Sequence, residues 1–528
     1  MHTALATQAA AGLPHLLRAA TSLRQNTHAQ LRDLLDACQH SVAAAAELWV
    51  ETSVLAKGWR DHPHSRAEEW ASGPLPVARF LSLLRTLQHH LVAGRLPELR
   101  RVATEPGAKG TMFDALPAHG LADPLLLRGY RARLECTEPN EPREPARRGD
   151  VALVLGAGNV TATPVLDVLH QVFLEGRAVL CKLSPLHSSL ASTFAAALAP
   201  LVDGGLLHLC TGDGELGRDL ARLPQVAAVH LTGSTATWAQ LRCDPALAQK
   251  HLSAEVGCCT PAFVVPGPWR DGELQHAARQ LAAFVANNGG ATCVAPRLAL
   301  TAASWPQRAA FLHHLRRELA ALPARVPFHF AARDHFAAAA GASAASEALA
   351  PTSRSDLDAQ RDSALFAREH FAPVLLELPL PGDTAREWLD RATAFARDQV
   401  FGALSCYVLA PPRVLTPLRS TLLAALAVLP HGTIAVNTWT GLGYGFGITP
   451  WGVPSGSAWQ HGAGWTRGTA SLRDVRRVVL EAPFRPRPLP PWLPDHRRGR
   501  ATLRALTYYY LAPQPLRLAA TAFHALRA

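Results

Sequence analysis

Between residues 151 and 235 the chain repeats one pattern: a short apolar run, a turn bearing glycine or hydroxyls, and a helix-like stretch. Val151-Ala152-Leu153-Val154-Leu155 ends in Gly156-Ala157-Gly158-Asn159 and leads into a helical stretch to about residue 174. Strand-like runs at 178–182, 206–209 and 226–231 follow, with helical stretches at 188–201 and 215–223 between them. Such alternation of buried strand and helix predicts an α/β fold with a doubly wound, Rossmann-like parallel sheet. Ligands bind outside the carboxyl ends of such strands. The turns holding Asn159, Lys182 and Gly233-Ser234-Thr235 are therefore the first places to look for function.

The 528 residues suffice for two or three domains, and 48% hydrophobic against 18% charged residues excludes a disordered chain. Residues 1–135 read as a mostly helical part of the cofactor-binding domain, with Phe80, Leu81, Leu83, Leu84 and Leu87 at helical spacing. A Pro-, Glu- and Arg-rich connection covers 138–148. The Rossmann-like domain is placed at 149–255, a second α/β (catalytic) domain at 256–448, a closing segment at 449–484 and a basic tail at 485–528. The tail either packs on its own domain or serves attachment to a partner or membrane surface. No apolar run reaches the roughly 18 residues of a membrane span, and Met1-His2-Thr3-Ala4 opens no signal peptide. Nine scattered cysteines fit a reducing cytoplasm. The net charge of +11 comes without zinc-ligand spacing or an aromatic RNA-binding motif, so no nucleic-acid partner is expected. His89-His90 and His313-His314 lack metal-ligand spacing, and no metal site is expected.

Cys293 stands in Asn287-Asn288-Gly289-Gly290-Ala291-Thr292-Cys293-Val294-Ala295-Pro296-Arg297. A helix-like run leads into paired glycines, a lone thiol and a return to apolar strand. That geometry exposes sulfur on a turning backbone whose N–H groups face whatever the sulfur attacks. By itself a cysteine is more often a small buried hydrophobe. Likewise Gly156-Ala157-Gly158-Asn159 is not Gly-x-Gly-x-x-Gly, Ser234 reads equally as a helix cap, and Lys182 as a surface lysine.

The order of these features resembles the aldehyde dehydrogenase superfamily over about residues 145–480. The resemblance implies that fold, and it assigns Asn159 to the oxyanion hole and Lys182 to the adenosine ribose. It places Gly233, Ser234 and Thr235 at the cofactor pyrophosphate, Glu255 in Glu255-Val256-Gly257 as general base, and Cys293 as nucleophile. Glu369-His370-Phe371-Ala372-Pro373 resembles the segment gripping the nicotinamide ribose through Glu369 and Phe371. Val436-Asn437 and Pro450-Trp451-Gly452 through Ser455-Gly456 resemble the closing motifs. The implied activity is NAD- or NADP-dependent oxidation of an aldehyde to an acid through a cysteine thiohemiacetal and thioester. An acyl-CoA-linked reductase and a non-catalytic member stand as alternatives. Homo-oligomerisation is implied too, with 134–148 as the pairing hairpin. The chain departs from the family at Gly158, Pro185, Trp238, Cys258, Cys259, Ala291 and Ala372. Pro185 stands where NAD-preferring members carry a glutamate, which admits NADP.

Overall fold

The computed structural model describes residues 11–118, 120–137, 144–341, 346–454, 457–470, 472 and 474–527. Ser455-Gly456 of the closing motif and part of the 138–148 connection lie outside them. The chain opens with helices Leu13–Gln25, His28–Ala56, Ser65–Ser72 and Pro74–Val92. A capping box between Thr27 and Gln30 starts the longest of these, satisfying N–H groups that a helix start leaves free. Strands β1 (Arg100–Val102), β2 (Thr111–Asp114) and β3 (Arg131–Cys136) come next. Five strands then alternate with helices: β4 (Val151–Leu155), β5 (Ala178–Leu183), β6 (Leu207–Thr211), β7 (Val226–Gly233) and β8 (His251–Val256).

A second series comprises β9 (Pro261–Val264), β10 (Leu298–Ala302), β11 (Thr352–Arg354), β12 (Val374–Leu380), β13 (Ser405–Leu409) and β14 (Thr433–Val436). The closing segment adds β15 (Pro450–Gly452), β16 (Gly462–Ala463), β17 (Trp465–Arg467) and β18 (Val475–Glu481). Two large sheets result. One runs β16-β8-β7-β4-β5-β6, parallel apart from β16. The other has the order β1-β2-β3-β18-β14-β13-β9-β10-β12-β11, parallel from β18 to β11 and antiparallel from β18 to β1.

The strands expected at 151–155, 178–182, 206–209 and 226–231 appear within a residue or two. The helical reading of 1–135 needs correction beyond Val92, because β1, β2 and β3 lie there and join the second sheet. Arg131-Ala132-Arg133-Leu134-Glu135-Cys136 alternates polar and apolar residues. Ala132, Leu134 and Cys136 are buried, the period-two pattern of a strand, but it is short enough to be lost in an Ala- and Leu-rich stretch. Leu134, the first residue of the expected pairing hairpin, pairs with Phe113 and Val478 of the same chain.

Each sheet has its own apolar core. The first core joins β4–β8 to the N-terminal helices and to Tyr509, Tyr510 and Leu511 of the tail. The second surrounds β9–β14 and β18. The tail forms helices Gly499–Leu511 and Pro515–Ala525, and the first lies against Ser65–Ser72 and Pro74–Val92 of its own chain. Its clasp is Arg79. This buried guanidinium donates to both oxygens of Asp123 at 2.7 and 2.9 Å, to the Phe446 carbonyl at 2.9 Å, and to the Tyr510 hydroxyl. Breaking a buried pair leaves a charge stranded away from water, at a cost of about 3–5 kcal/mol. Asp123→Ala is expected to lower the unfolding free energy by about that amount in urea titration, against less than about 0.5 kcal/mol for an exposed control such as Asp398→Ala.

Candidate active site

From β4 the chain winds outward through β5 and β6, then returns to lay β7 on the other side of β4. The carboxyl ends of β4 and β7 therefore flank a topological switch point, where helices diverge to opposite faces and leave a crevice. A cleft of about 820 Å³ opens there. Asn159 follows β4, Lys182 lies near the end of β5, Gly233-Ser234-Thr235 follows β7, and Glu255 lies near the end of β8. Cys293, Glu369 and Phe371 complete the wall from the second unit. The residues picked out in the sequence thus come together around one cavity.

Lys182 is buried, and its amino group donates to the Asp213 carbonyl at 2.9 Å. Burial lowers its pKa. Ser234 caps helix Thr235–Arg242, its hydroxyl accepting from Thr237 N–H at 3.1 Å, so the positive end of that helix faces the cleft. Trp238, one departure from the family pattern, is buried and donates its indole N–H to the Trp459 carbonyl at 2.8 Å, tying this helix to the closing segment. Glu369 folds towards Gly257, where a Cβ would come within 1.9 Å of its Oε2; a side chain there would displace the carboxylate. Burial raises the Glu369 pKa to about 7 despite Arg297 nearby. Phe371 has φ +47°, and its ring meets His329 edge-on at 4.9 Å.

Helix Asp271–Ala286 delivers the thiol loop. Asn288, Gly289 and Gly290 all have positive φ, which turns the chain sharply before Cys293. At Gly290 a Cβ would lie 2.3 Å from the Ala372 carbonyl carbon, so no other residue fits. Beneath the loop, wholly buried Arg297 donates to the carbonyls of Ala372 (2.7 Å), Gly290 (2.5 Å) and Thr292 (3.0 Å). On the far side of the sulfur, Tyr407 donates to the Val294 carbonyl at 2.5 Å. Cys293 Sγ is half-buried and lies 3.5 Å from Glu255 Oε1, in position to donate its proton. Burial pushes the thiol pKa well above its ordinary value, and the Glu255 and Glu369 carboxylates push it further. Burial also raises Glu255 itself, although Arg467 and Trp451 pull it down. Burial thus favours the protonated thiol, and the Glu255 carboxyl lies directly beside it. Neither the Cys293 N–H nor the Asn159 side-chain amide has a hydrogen-bond partner among the described residues, and both residues line the cleft.

Several residues of the site escape a reading of the sequence. Asn288 donates from Nδ2 to the carbonyls of Asn159 (2.9 Å) and Ala291 (2.8 Å), and its Oδ1 accepts from Lys57 Nζ at 2.8 Å. Lys57 pairs in turn with Glu69 at 2.5 Å. Glu68 accepts from the Asn288 N–H at 3.2 Å and from both Nη atoms of Arg325 at 2.6 Å. Lys57 follows the end of helix His28–Ala56, Glu68 and Glu69 stand side by side in helix Ser65–Ser72, and no motif marks them. Arg297 closes the quoted thiol segment, but only its burial reveals its task. Among the described residues no group of three or more His, Cys, Asp or Glu side chains could hold a metal ion, and no helix is long and apolar enough to cross a membrane.

Residues 151–335 match the model of the aldehyde dehydrogenase family. Solved structures of similar fold include the aldehyde dehydrogenase KauB from Pseudomonas aeruginosa, with 17% identity and TM-score 0.60, covering 90% of this chain and 89% of that one. An NAD-dependent aldehyde dehydrogenase from Sinorhizobium meliloti shares 19% identity with TM-score 0.61, over 90% of this chain and 86% of that one. The NADP-dependent glyceraldehyde-3-phosphate dehydrogenase from Bacillus halodurans C-125, complexed with NADP, shares 16% with TM-score 0.58, over 90% and 91%. No curated protein sequence matches the chain. At these identities the structural likeness speaks for the fold, which is that of the aldehyde dehydrogenases, while the family match itself covers residues 151–335.

Proposed function

We propose that the protein oxidises an aldehyde to a carboxylic acid with NAD or NADP as acceptor, through a thiohemiacetal and a thioester on Cys293. The observation that carries this reading is the 3.5 Å contact between Cys293 Sγ and Glu255 Oε1 within the switch-point cleft. The cleft residues suit a dinucleotide. Lys182 and the helix start at Ser234 offer donors to ribose and pyrophosphate oxygens. Glu369 Oε1 is buried without a partner, as befits an acceptor for a ribose hydroxyl. A bound nicotinamide dinucleotide supplies the acceptor for the hydride that leaves the aldehyde carbon.

The chain's own residues do the rest. Glu255 takes the thiol proton as sulfur attacks the carbonyl carbon, and the carbonyl oxygen becomes an oxyanion. The Asn159 amide and the Cys293 N–H donate to it, and one such donor is worth about 3 kcal/mol. After oxidation the acyl group remains on sulfur as a thioester. Once Glu255 has released the thiol proton to solvent, it draws a proton from water. The resulting hydroxide attacks the acyl carbon, and the carbon–sulfur bond breaks to release the acid, Glu255 returning its proton to the sulfur.

Steady-state absorbance of the reduced cofactor over an aldehyde panel, with and without CoA, tests this reading. Cys293→Ala is expected to abolish turnover while cofactor binding stays measurable, and Asn159→Ala to lower kcat by about 10²–10³-fold. No turnover from any aldehyde, with no cofactor binding, would overturn it; turnover only with CoA would replace water as the acyl acceptor. Glu255→Gln removes a charge that holds the thiol pKa up. Alkylation of Cys293 by iodoacetamide, followed on its own peptide, should therefore reach half-maximal rate at lower pH in this variant, while thioester hydrolysis is lost.

A further inference from the structure

Glu255 Oε1 faces the sulfur, but Oε2 is buried, turned the other way, and without a hydrogen-bond partner. On that side Arg467 Nη2 stands at 3.6 Å. The β15–β17 pair supplies it, aligning Pro450 with Arg467 and Trp451 with Thr466. The Trp451 indole N–H, like Nε and Nη2 of Arg467, is buried with no partner at normal hydrogen-bond geometry. Unsatisfied buried donors are costly, and a positive charge is costlier still. Arg467 nevertheless has a side chain only 1% exposed and a backbone at φ +62°, a region uncommon for residues with a Cβ.

The surroundings hold it there. Its N–H donates to His170 Nδ1 at 2.9 Å, and its guanidinium lies 3.9 Å from the centre of the Tyr444 ring. Nη1 reaches Asp167 Oδ1 at 3.4 Å. Asp167 in turn accepts from Thr232 Oγ1 at 2.9 Å and lies 3.6 Å from His230 Nε2, while His230 Nδ1 meets Ser253 Oγ at 2.8 Å. Burial would raise the Asp167 carboxyl, but His230, Arg467 and Thr232 outweigh it and hold the group below its ordinary pKa. One cation is thus stretched between two carboxylates, closer to Asp167 than to Glu255.

We infer that Arg467 is a positioning residue for the base: shared between Asp167 and Glu255, its guanidinium keeps Glu255 ionised and aimed at Cys293, and Asp167 sets how much of that charge Glu255 feels. The inference rests on the reading of Cys293 and Glu255 as nucleophile and base. The ionisable groups around Glu255 are Cys293 from the thiol loop, Glu369 from the loop before β12, Arg467 from β17, Asp167 from helix Ala162–Phe173, His230 from β7 and Tyr444. Arg467 lowers both Glu255 and Cys293, whereas Asp167 raises Glu255. Removing the arginine and removing the aspartate must therefore act in opposite directions.

The test is the pH profile of kcat/KM together with the pH dependence of iodoacetamide alkylation at the Cys293 peptide. Arg467→Gln should move the acidic limb and the alkylation midpoint up by about one pH unit or more. Arg467→Lys, which keeps the charge, should restore most of that shift, and Asp167→Asn should move both downward. Thermal unfolding identifies any variant that fails to fold; if Arg467→Gln is lost in this way, the directions in Arg467→Lys and Asp167→Asn still decide. A folded Arg467→Gln with an unmoved midpoint, or Asp167→Asn shifting the same way as Arg467→Gln, would overturn the inference. Alkylation needs no turnover, so an aldehyde panel that fails throughout would sink the oxidation reading and leave this one measurable.

Discussion

The side chain of Asn288 spans the junction on which the site depends. Its amide nitrogen donates to the carbonyl after β4, at Asn159, and to Ala291 just before the thiol, while its oxygen receives the ammonium of Lys57 from the N-terminal helices. Three regions drawn from two different cores thus meet on one planar group that both donates and accepts. The meeting needs φ +53° at Asn288 and two glycines after it. Asparagine tolerates that left-handed region better than most residues with a Cβ, and glycine enters it without steric cost. This one group ties the thiol loop directly to the residue that follows β4 in the other sheet.

Charge is arranged with similar economy. The cleft holds the Glu255 and Glu369 carboxylates beside a thiol, all pushed towards their protonated forms by burial. Two buried arginines oppose this from opposite sides. Arg297 sits under the thiol loop and spends its donors on backbone carbonyls, so it shapes the loop as well as biasing Glu369. Arg467 enters on a short strand pair from the closing segment and bears on Glu255 and Asp167. In a low-dielectric interior such pairs act over several ångströms, and their cost is recovered only where every partner is held in place.

The sheet of the first unit is legible because its strands are largely apolar and end in recognisable turns. The sequence singles out Cys293, Glu255 and Asn159, which the structure brings to one cleft, because each sits in a short motif. What escaped depends on contacts between distant residues. Lys57 reaches Asn288 across 231 positions, and Arg467 reaches Asp167 across 300. Neither Lys57 nor Arg467 carries a local signal, since one lysine at the end of an alanine-rich helix or one arginine in Trp465-Thr466-Arg467 looks like a surface charge. Strands β1 to β3 escaped for another reason. Three to six residues are too few to outweigh the helical spacing around them, and the strand that ties them to the second sheet, β18, lies more than 300 residues on and pairs with β3.

That far end has a bearing on how the molecule is made. Arg79 lies in helix Pro74–Val92, but its partners Phe446 and Tyr510 come more than 360 residues later. Chains fold largely as they are synthesised, and contacts at long sequence separation close last. Asp123 can pair with the guanidinium early, but the remaining donors and the apolar face of this helix must wait until the stretch carrying Phe446 and Tyr510 has been made. The layer formed by Ser65–Ser72 and Pro74–Val92 is thus closed by a helix made more than 400 residues later.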